Sequence, residues 1–477
     1  MMVSSEAAPW AKSGGLADVL GALPQALAQR GHSVAVVIPR YMNALKAPAV
    51  RVGERIPVPL GYGTRGVDIW SIESDGVMMF FVDDPGLFGR DGLYGDRHGE
   101  FGDNHLRFAT LCRAAIEIAR RYFATDIFHC HDWQAGLVPL YLKEAGFIDP
   151  HFLGARTLMT IHNLAYRGIF APAVMGEIGL PARVYRGDLV EFWGKISFLK
   201  AGLVYADALS TVSPQYAQEI QTPDQGEGLD GLLRARRASL TGIVNGIDTA
   251  IWNPETDRHI PGHFSAAKLD GKEICKRELL REMGLPDRGM ERPLLGIISR
   301  FAYQKGFDIL RQIAWEVMGN DDVYLVALGS GEGSIEEMFR YLKQHYPDRV
   351  GVRFGFDDGL AHRIEAGSDM FLMPSRYEPC GLNQMYSLRY GTAPVVRATG
   401  GLDDTVEGYP AADATGFKFL DYNGGALLHS IREACRLWEY RNSWRAMMVR
   451  GMQKDFSWTA SAAEYSKLYR DLHPAGR

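Results

Sequence analysis

A glutamate set among prolines and glycine, Glu378, lies between an apolar run at 369–373 and a helical pattern at 382–390. Such a run is typical of a buried strand, and α/β proteins bind ligands beyond the carboxyl ends of their parallel strands. Backbone N–H groups at the start of the next helix can also bind phosphate oxygens. A carboxylate here could act on a bound substrate. A plain turn, with Glu378 as a solvated charge, is the alternative.

Two cations follow a second apolar run of the same kind. Residues 294–298 predict a buried strand, and Arg300 and Lys305 lie in the loop before a helix that begins near Phe307. Arginine offers a planar fork and lysine a compact point charge, a pairing that suits the oxygens of a diphosphate. Surface cations that only cover apolar area are the alternative.

Two pairs of glycines stand in similar segments, each ahead of a helical pattern. Gly14 and Gly15 lie in Lys-Ser-Gly-Gly-Leu-Ala-Asp, and Gly400 and Gly401 lie in Ala-Thr-Gly-Gly-Leu-Asp-Asp. Glycine lets the backbone approach a ligand closely and leaves N–H groups available to donate. Lys12 adds a positive charge to the first segment. A simple turn is the alternative for either pair.

Polar side chains follow three further apolar runs in the first half of the chain. Asp132, His162 and Asn245 each come after such a run, and neutral donors and acceptors of this kind suit the hydroxyls of a sugar. His129 and His131 could form one arm of a metal site. No cysteine or carboxylate cluster completes it, so core histidines are the simpler interpretation.

Composition excludes several classes of protein. The 477 residues are 46% hydrophobic and 23% charged, enough for about two to three domains with real cores. A net charge of -5 gives no electrostatic reason to expect a nucleic-acid partner. The five cysteines are widely spaced and include no Cys-x-x-Cys pair, which argues against a disulfide framework and favours a reducing compartment. With no apolar run of about 18 residues and no leader, we expect a cytoplasmic protein without a membrane partner.

Short apolar runs alternate with helical patterns along the chain, which predicts parallel α/β sheets. The runs are too many for one sheet, and the polar, proline-bearing stretch 253–292 separates two sets of them. We therefore expect two doubly wound domains with a site in the cleft between them. The predicted strands are 34–38, 77–82, 126–129, 157–161, 208–212, 240–244, 294–298, 323–328, 350–354 and 370–373.

Common nucleotide motifs do not apply. Residues 226–231 match Gly-x-Gly-x-x-Gly, but they follow the polar stretch 221–225 where a strand is required, which argues against a nicotinamide dehydrogenase. The chain has no Gly-Lys-Ser or Gly-Lys-Thr of a phosphate-binding loop. It also has no Asp-x-Asp, the pattern that commonly holds Mg²⁺ on a sugar-nucleotide diphosphate, so we expect neither a metal nor a cofactor.

Several motifs taken together resemble those of one family, the bacterial glycogen synthases, which are relatives of the plant starch synthases. The motifs are Lys-Ser-Gly-Gly-Leu-Ala-Asp at 12–18, His-Asp-Trp at 131–133, Thr-Ile-His-Asn-Leu at 160–164, Asn-Gly-Ile-Asp at 245–248, Ser-Arg with Gln-Lys-Gly at 299–306, and Pro-Ser-Arg-Tyr-Glu-Pro-Cys-Gly-Leu at 374–382. The resemblance implies a GT-B fold, with Rossmann-like domains at 1–250 and 251–457 and a last helix, about 458–477, that returns to the first domain.

The resemblance also implies an activity: retaining transfer of glucose from ADP-glucose to the non-reducing 4-hydroxyl of an α-1,4-glucan. A GT-B transferase that uses UDP-glucose or a small acceptor, and an inactive glucan-binding regulator, are the alternatives. By motif match, the implied catalytic residues are Glu378, Arg300, Lys305 and His162. The implied substrate-binding residues are Lys12, Gly14, Gly15, Asp18, Asp132, Asn245, Phe356, Cys380, Gly381, Leu382 and Asn383.

Two of these positions depart from the family pattern. Phe356 stands where the family often has tyrosine against the adenine base, so a contact that needs a hydroxyl is not expected there. Asn383 stands where threonine is frequent.

Overall fold

The computed structural model describes residues 1–144 and 149–473. It divides into two compact units: unit 1 contains Met1–Gly246 and the chain from Trp458 onward, and unit 2 is Ile247–Ser457. The sequence places the first boundary at 250/251 and the second at 457/458. Within the described part of the chain, no helix is both long and apolar enough to cross a lipid bilayer.

Within the described residues, unit 1 contains fourteen strands, and seven of its helices precede unit 2 in the chain. The strands are β1 Met2–Val3, β2 Val34–Pro39, β3 Val50–Leu60, β4 Gly63–Ser74, β5 Val77–Asp83, β6 Gly95–Asp96, β7 Gly99–Glu100, β8 Ile127–His131, β9 Arg156–Ile161, β10 Ile169–Phe170, β11 Glu191–Phe192, β12 Lys195–Ser197, β13 Ala208–Thr211 and β14 Leu240–Gly242. The helices are α1 Gly15–Gln29, α2 Pro85–Phe88, α3 Asn104–Arg121, α4 Leu137–Lys143, α5 Phe198–Tyr205, α6 Pro214–Glu219 and α7 Asp230–Ala235.

Nine of these strands form one sheet, in the order β14-β13-β9-β8-β1-β2-β5-β4-β3. The pairs are parallel except where β4 joins β5 and β3 joins β4. The sequence did not predict the β3–β4 hairpin, because Pro57 and Pro59, which have no backbone N–H to donate, argue against a strand in β3. Proline is tolerated there because β3 forms the sheet edge. The strand predictions over 34–38, 77–82 and 157–161 are confirmed.

Unit 2 contains a six-stranded parallel sheet in the order β17-β16-β15-β18-β19-β20. Its strands are β15 Leu294–Phe301, β16 Tyr324–Gly331, β17 Val350–Phe354, β18 Met370–Met373, β19 Ala393–Arg397 and β20 Phe417–Phe419. Its helices are α8 Asp270–Glu282, α9 Phe307–Asn320, α10 Gly333–His345, α11 Asp358–Gly367, α12 Asn383–Arg389, α13 Gly400–Thr405, α14 Gly424–Glu439 and α15 Arg441–Met452.

Helices cover both faces of the unit 2 sheet, as the doubly wound prediction requires. Leu295 and Ile297 of β15 point into one buried cluster, while Leu294 points into the other, because successive side chains of a strand face opposite sides. All four strands predicted in this region are present. β19 was missed because Pro394 interrupts a run that is otherwise typical of a central strand.

The last helix, α16, Trp458–Leu472, belongs to unit 1 and packs on α1. Tyr465 is fully buried, and Ser461 Oγ donates to Val244 O at 2.7 Å. Gly246 is needed where the chain passes α16, because a Cβ there would lie 2.7 Å from Trp458 backbone atoms. The predicted helix extends to 477, and residues 474–477 lie outside the described part of the chain.

Candidate functional site

The unit 2 sheet changes direction between β15 and β18. From β15 the chain continues outward to β16 and β17, and from β18 it continues to β19 and β20 on the other side. The crevice beyond the carboxyl ends of strands at such a switch point is where doubly wound sheets bind ligands. Lys305 follows β15 and Glu378 follows β18, so both predicted residues lie at this switch point.

The two side chains form an ion pair. Lys305 Nζ donates to Glu378 Oε2 at 2.7 Å, and Ser375 Oγ donates to the same oxygen at 2.9 Å. The Glu378 carboxylate is buried, whereas Arg300, at the end of β15, is exposed and forms no ion pair within the described residues. Exposed Arg300 thus lies at the same edge as the buried, ion-paired carboxylate of Glu378.

Backbone contacts hold the two loops together. Arg376 N donates to Gln304 O at 2.8 Å, which joins the Glu378 loop to the turn that carries Lys305. Gly306, with φ 75°, lies so close to the other loop that a Cβ would be 1.8 Å from Pro374 O. Only glycine fits both the left-handed backbone and this approach. The position of the cation loop, residues 299–306, against the carboxylate loop, residues 374–382, is therefore fixed.

The Arg376 side chain adds further contacts between the two loops. Its guanidinium lies 4.1 Å from the ring centroids of Tyr303 and Tyr422, one on the cation loop and the other before α14. Arg376 Nη2 also donates to Asp308 Oδ2 at 3.0 Å. A cation between two aromatic faces is attracted to both quadrupoles. This stack connects the cation loop, the carboxylate loop and the start of α9.

The second glycine pair serves a different purpose from the one predicted. A Cβ on Gly400 would lie 2.0 Å from Glu378 O, and one on Gly401 would lie 2.1 Å from Cys380 O. Gly401 N donates to Glu378 O at 3.1 Å, so this N–H is already engaged. The prediction of a free donor at Gly401 is wrong. The pair lets α13 approach the backbone of the carboxylate loop.

The other predicted unit 2 residues lie along the same carboxyl edge. Phe356, after β17, is 87% exposed and available for stacking. Gly381 has φ 71°, and Cys380 is buried beside it. Asn383, at the start of α12 just after Leu382, donates from Nδ2 to Ile298 O at 3.0 Å. Its amide therefore ties α12 to β15.

Unit 1 has its own switch point, between β1 and β8. The loop after β1 carries Lys12, which pairs with Asp18 of α1 through Nζ and Oδ1 at 2.6 Å, and both side chains are partly exposed. Gly14 caps α1 with extended backbone, and Gly15 is its first residue. Four predicted residues thus lie together at a helix N-terminus, where N–H groups can meet an anion.

Sequence reasoning missed Glu6, which supports this loop. It is 3% exposed, and its carboxylate accepts bonds from Ser13 N at 2.5 Å, from Ser13 Oγ at 2.7 Å and from the Tyr94 hydroxyl. The signal that could have found it is its position, because it lies in the loop just after β1, as Asp132 lies just after β8. Glu6 holds the backbone of the Lys12 loop in place.

Burial controls the charge of two predicted residues in unit 1. Asp132 Oδ1 accepts a bond from His162 N at 2.7 Å, yet burial raises the pKa of Asp132 to about 7 against the effect of that bond. Burial also lowers the pKa of His162 to about 3. Asp132 has φ 56°, a conformation unusual for a side-chain-bearing residue and worth noting at a candidate site.

Three further polar residues near the carboxyl edge of the unit 1 sheet, His129, His131 and Asn245, have different surroundings. His129 bonds Tyr469 Oη at 2.7 Å and Thr160 Oγ1 at 2.6 Å, so it is a core histidine. His131 Nδ1 lies 2.9 Å from His162 Nε2. Asn245 Oδ1 is buried and has no hydrogen-bond partner in the described part of the chain. A buried polar atom without a partner is costly unless a ligand or solvent completes it.

Comparison with known proteins agrees with this geometry. The chain matches the family described as starch synthase catalytic domain over residues 1–235, and glycosyl transferases group 1 over residues 286–447. Among solved structures, it is similar to the catalytic domain of starch synthase IV from Arabidopsis thaliana bound to ADP and acarbose. The TM-score is 0.89 at 32% identity, covering 99% of this chain and 98% of that one.

Curated relatives give the same result over the whole chain. The glycogen synthase of Anaeromyxobacter sp. (strain Fw109-5) is 51% identical over 477 residues, covering 99% of both chains. That of Koribacter versatilis (strain Ellin345) is 48% identical over 470 residues, covering 98% of this chain and 96% of the relative. A sucrose-phosphate synthase from Thermosynechococcus elongatus, at 18% identity and TM-score 0.60, shares the fold alone.

The two Rossmann-like units and these matches define a glycosyltransferase with the GT-B fold. Within that class, the chain belongs to the glycogen and starch synthase family.

Proposed function

We propose that the chain transfers glucose from ADP-glucose to the non-reducing 4-hydroxyl of an α-1,4-glucan, with retention at the anomeric carbon. The observation that carries the proposal is the Lys305–Glu378 pair at the unit 2 switch point, with exposed Arg300 beside it. Support for the nucleotide comes from the Arabidopsis starch synthase IV structure, which contains ADP and acarbose.

The chemistry requires opposite charges on the two sides of the breaking bond. As the bond from the anomeric carbon to the diphosphate oxygen breaks, negative charge grows on the diphosphate and positive charge on the sugar ring. Arg300, Lys305 and Lys12 meet the first charge, together with the N–H groups at Gly14 and Gly15. The Glu378 carboxylate, beside the sugar, meets the second. The acceptor 4-oxygen bonds the anomeric carbon and its proton passes to the leaving phosphate oxygen.

The environment of Glu378 favours attack on the same face over a covalent glucosyl–enzyme. One carboxylate oxygen accepts bonds from both Lys305 and Ser375, which lowers its strength as a nucleophile. We therefore assign Glu378 to positioning the donor and stabilising the sugar cation. His162, Asp132 and Asn245 hold the glucose hydroxyls, for which neutral donors and acceptors are suited. Phe356 stacks on the adenine, and the loop from Cys380 to Asn383 lies against the sugar and phosphate.

A direct assay tests this proposal. Purified protein is incubated with glycogen and either ADP-glucose or UDP-glucose, and release of the nucleoside diphosphate is measured. We expect ADP release with at least about tenfold higher kcat/KM than UDP release. Comparable values for both donors would overturn the ADP-glucose assignment and leave the transferase class intact. No turnover with either donor, from folded protein, would instead favour the glucan-binding regulator.

We also propose that the protein works in the cytoplasm. All five cysteines are free thiols, and four of them are buried. Cysteines that form no disulfide are expected where the compartment keeps thiols reduced.

A further inference from the structure

A second cluster of chemically capable side chains lies in unit 2, away from Lys305 and Glu378. Asp358 and His362 stand one turn apart on α11, so both project from the same side of the helix. His259 comes from the segment 256–263, about a hundred residues earlier. One ligand atom from each of the three side chains lies within 4.8 Å of the others.

A buried carboxylate sets the orientation of His362. Its Nδ1 lies 2.7 Å from Asp257 Oδ2, and both side chains are 1% exposed. The His362 ring also stacks on Trp252, with centroids 3.7 Å apart and planes 6° from parallel. A hydrogen on Nδ1, donated to Asp257, leaves Nε2 as the lone-pair atom. Metal-binding histidines are commonly held in this way, with a carboxylate on the other ring nitrogen.

Asp257 is itself fully engaged, which fixes the whole arrangement. Besides His362, it accepts bonds from the Tyr390 hydroxyl at 2.6 Å and from His259 N at 2.8 Å. The His259 backbone is thereby held by the same carboxylate that orients His362. Two of the three candidate ligands thus share one anchor, and the third, Asp358, is exposed and free to turn toward them.

Two arginines, Arg363 and Arg258, lie near the three candidate ligands. Arg363, on the next position of α11, forms two bonds with Glu282, at 2.6 Å and 2.8 Å, which neutralise it. Arg258 Nε lies 3.4 Å from His259 Nε2, which is long for a hydrogen bond. An incoming cation of higher charge could displace that weak contact.

We propose that His259, Asp358 and His362 bind one divalent transition ion of the Zn²⁺ type, with water completing its coordination. Two imidazoles and one carboxylate are a donor set that zinc prefers, whereas Mg²⁺ and Ca²⁺ prefer oxygen ligands throughout. The ion would fasten segment 256–263 to the first turn of α11. Its role is structural, because none of its ligands belongs to the proposed catalytic set.

Calorimetric titration of metal-stripped protein with Zn²⁺ tests the site. We expect one saturable equivalent per chain, and Kd raised about tenfold or more by His259→Gln and by Asp358→Asn. Matched controls are His345→Gln and Asp348→Asn, both at exposed positions outside the cluster, which should leave Kd unchanged. The absence of a saturable equivalent, or equal binding by wild type and both ligand variants, would overturn the proposal.

Thermal unfolding gives an independent readout. An ion that binds only the folded chain raises Tm with its concentration, so Zn²⁺ should raise the Tm of wild type and of the two controls. The ligand variants should show a smaller rise, and Mg²⁺ at the same concentration should show none. The fold does not depend on Asp358 as a helix cap, because Asp357 caps α11 through Leu360 N at 2.9 Å. A rise that is the same in wild type and Asp358→Asn would contradict the assignment.

Discussion

At the carboxyl edge of the unit 1 sheet, burial favours the neutral forms of Asp132 and His162, whereas at the same edge of unit 2 an ion pair lies beside an exposed arginine. The pKa of Asp132 is raised to about 7 and that of His162 is lowered to about 3. Lys305 and Glu378 instead form an ion pair beside exposed Arg300. Neutral groups suit the hydroxyls of a sugar, and fixed charges suit a diphosphate. The carboxyl edges of the two sheets are therefore suited to two different chemical groups of a ligand.

The largest expected effect comes from removing the negative charge of Glu378 in unit 2. Glu378→Gln keeps the shape of the side chain but removes the charge that we propose faces the sugar cation. We expect kcat to fall by about 10³-fold while the affinity for ADP-glucose changes by less than about threefold. Exposed Glu337→Gln is the matched control and should retain full activity. Equal losses in binding and in rate would make Glu378 a scaffold residue.

Removing a cation from the same edge should lower activity less than removing the Glu378 charge does. Lys305→Ala deletes one charge of the proposed diphosphate clamp and leaves Arg300 in place. We expect kcat/KM to fall by about 10²-fold, as for loss of one preorganised charge donor. Steady-state kinetics with ADP-glucose would measure this, with exposed Lys343→Ala as the control. Kinetics close to wild type would remove Lys305 from the clamp.

A variant of Arg376 tests whether Lys305 and Glu378 need to be held in a fixed position relative to each other. Arg376→Lys keeps the positive charge but loses the planar group between Tyr303 and Tyr422. We expect kcat to fall by about tenfold with a smaller change in KM, because the loops that carry Lys305 and Glu378 lose one of the contacts that hold them together. Exposed Arg277→Lys is the control. An unchanged kcat would show that the backbone contacts suffice.

In unit 1, the corresponding test measures stability against pH. Asp132 keeps its proton up to a pKa of about 7 in the folded chain, whereas the unfolded carboxyl loses it near 3.8. Between these values folding takes up a proton, so the stabilising contribution of Asp132 is complete below about pH 4 and declines as pH rises toward 7. Asp132→Asn does not titrate.

The Tm difference, variant minus wild type, should therefore increase from pH 4 to 7 and then level off. The expected slope in free energy is at most about 1.4 kcal/mol per pH unit. Thermal unfolding at half-unit pH steps measures it, and Asp348→Asn, at an exposed position, should show no such rise. A flat difference would mean that burial does not suppress the Asp132 charge, and the contrast between the two units would disappear.

Much of the fold could be predicted because apolar runs in a parallel sheet are nearly continuous. The runs at 294–298 and 350–354 correspond to β15 and β17. β3 and β19 could not be found, since Pro57, Pro59 and Pro394 interrupt their patterns. Their assignment as strands depends on pairing: β3 pairs with β4 at the sheet edge, and β19 lies between β18 and β20.

The sequence predicted residues that the structure places at the carboxyl edges of the two sheets, but it did not show how their side chains pair. The Lys305–Glu378 and Lys12–Asp18 ion pairs join residues named separately, and pairing depends on loop geometry. Glu6 was missed because a buried carboxylate has no local pattern. The cluster of His259, Asp358 and His362 was missed for a related reason, since only the spacing of the last two is visible in sequence.

The smallest expected effect concerns divalent metal in catalysis. The chain contains no Asp-x-Asp, and its adjacent aspartate pairs would point to opposite faces of an extended segment. In the proposed mechanism, neutralising the departing diphosphate is the task of Arg300, Lys305 and Lys12. Initial rates of metal-stripped enzyme in EDTA should match those with added Mg²⁺ within about twofold. The assay is run well below Tm, because the zinc site proposed above would affect stability and not the chemical step. A loss of about tenfold that Mg²⁺ restores and Zn²⁺ does not would show that a metal, and not the cations of unit 2, stabilises the leaving group.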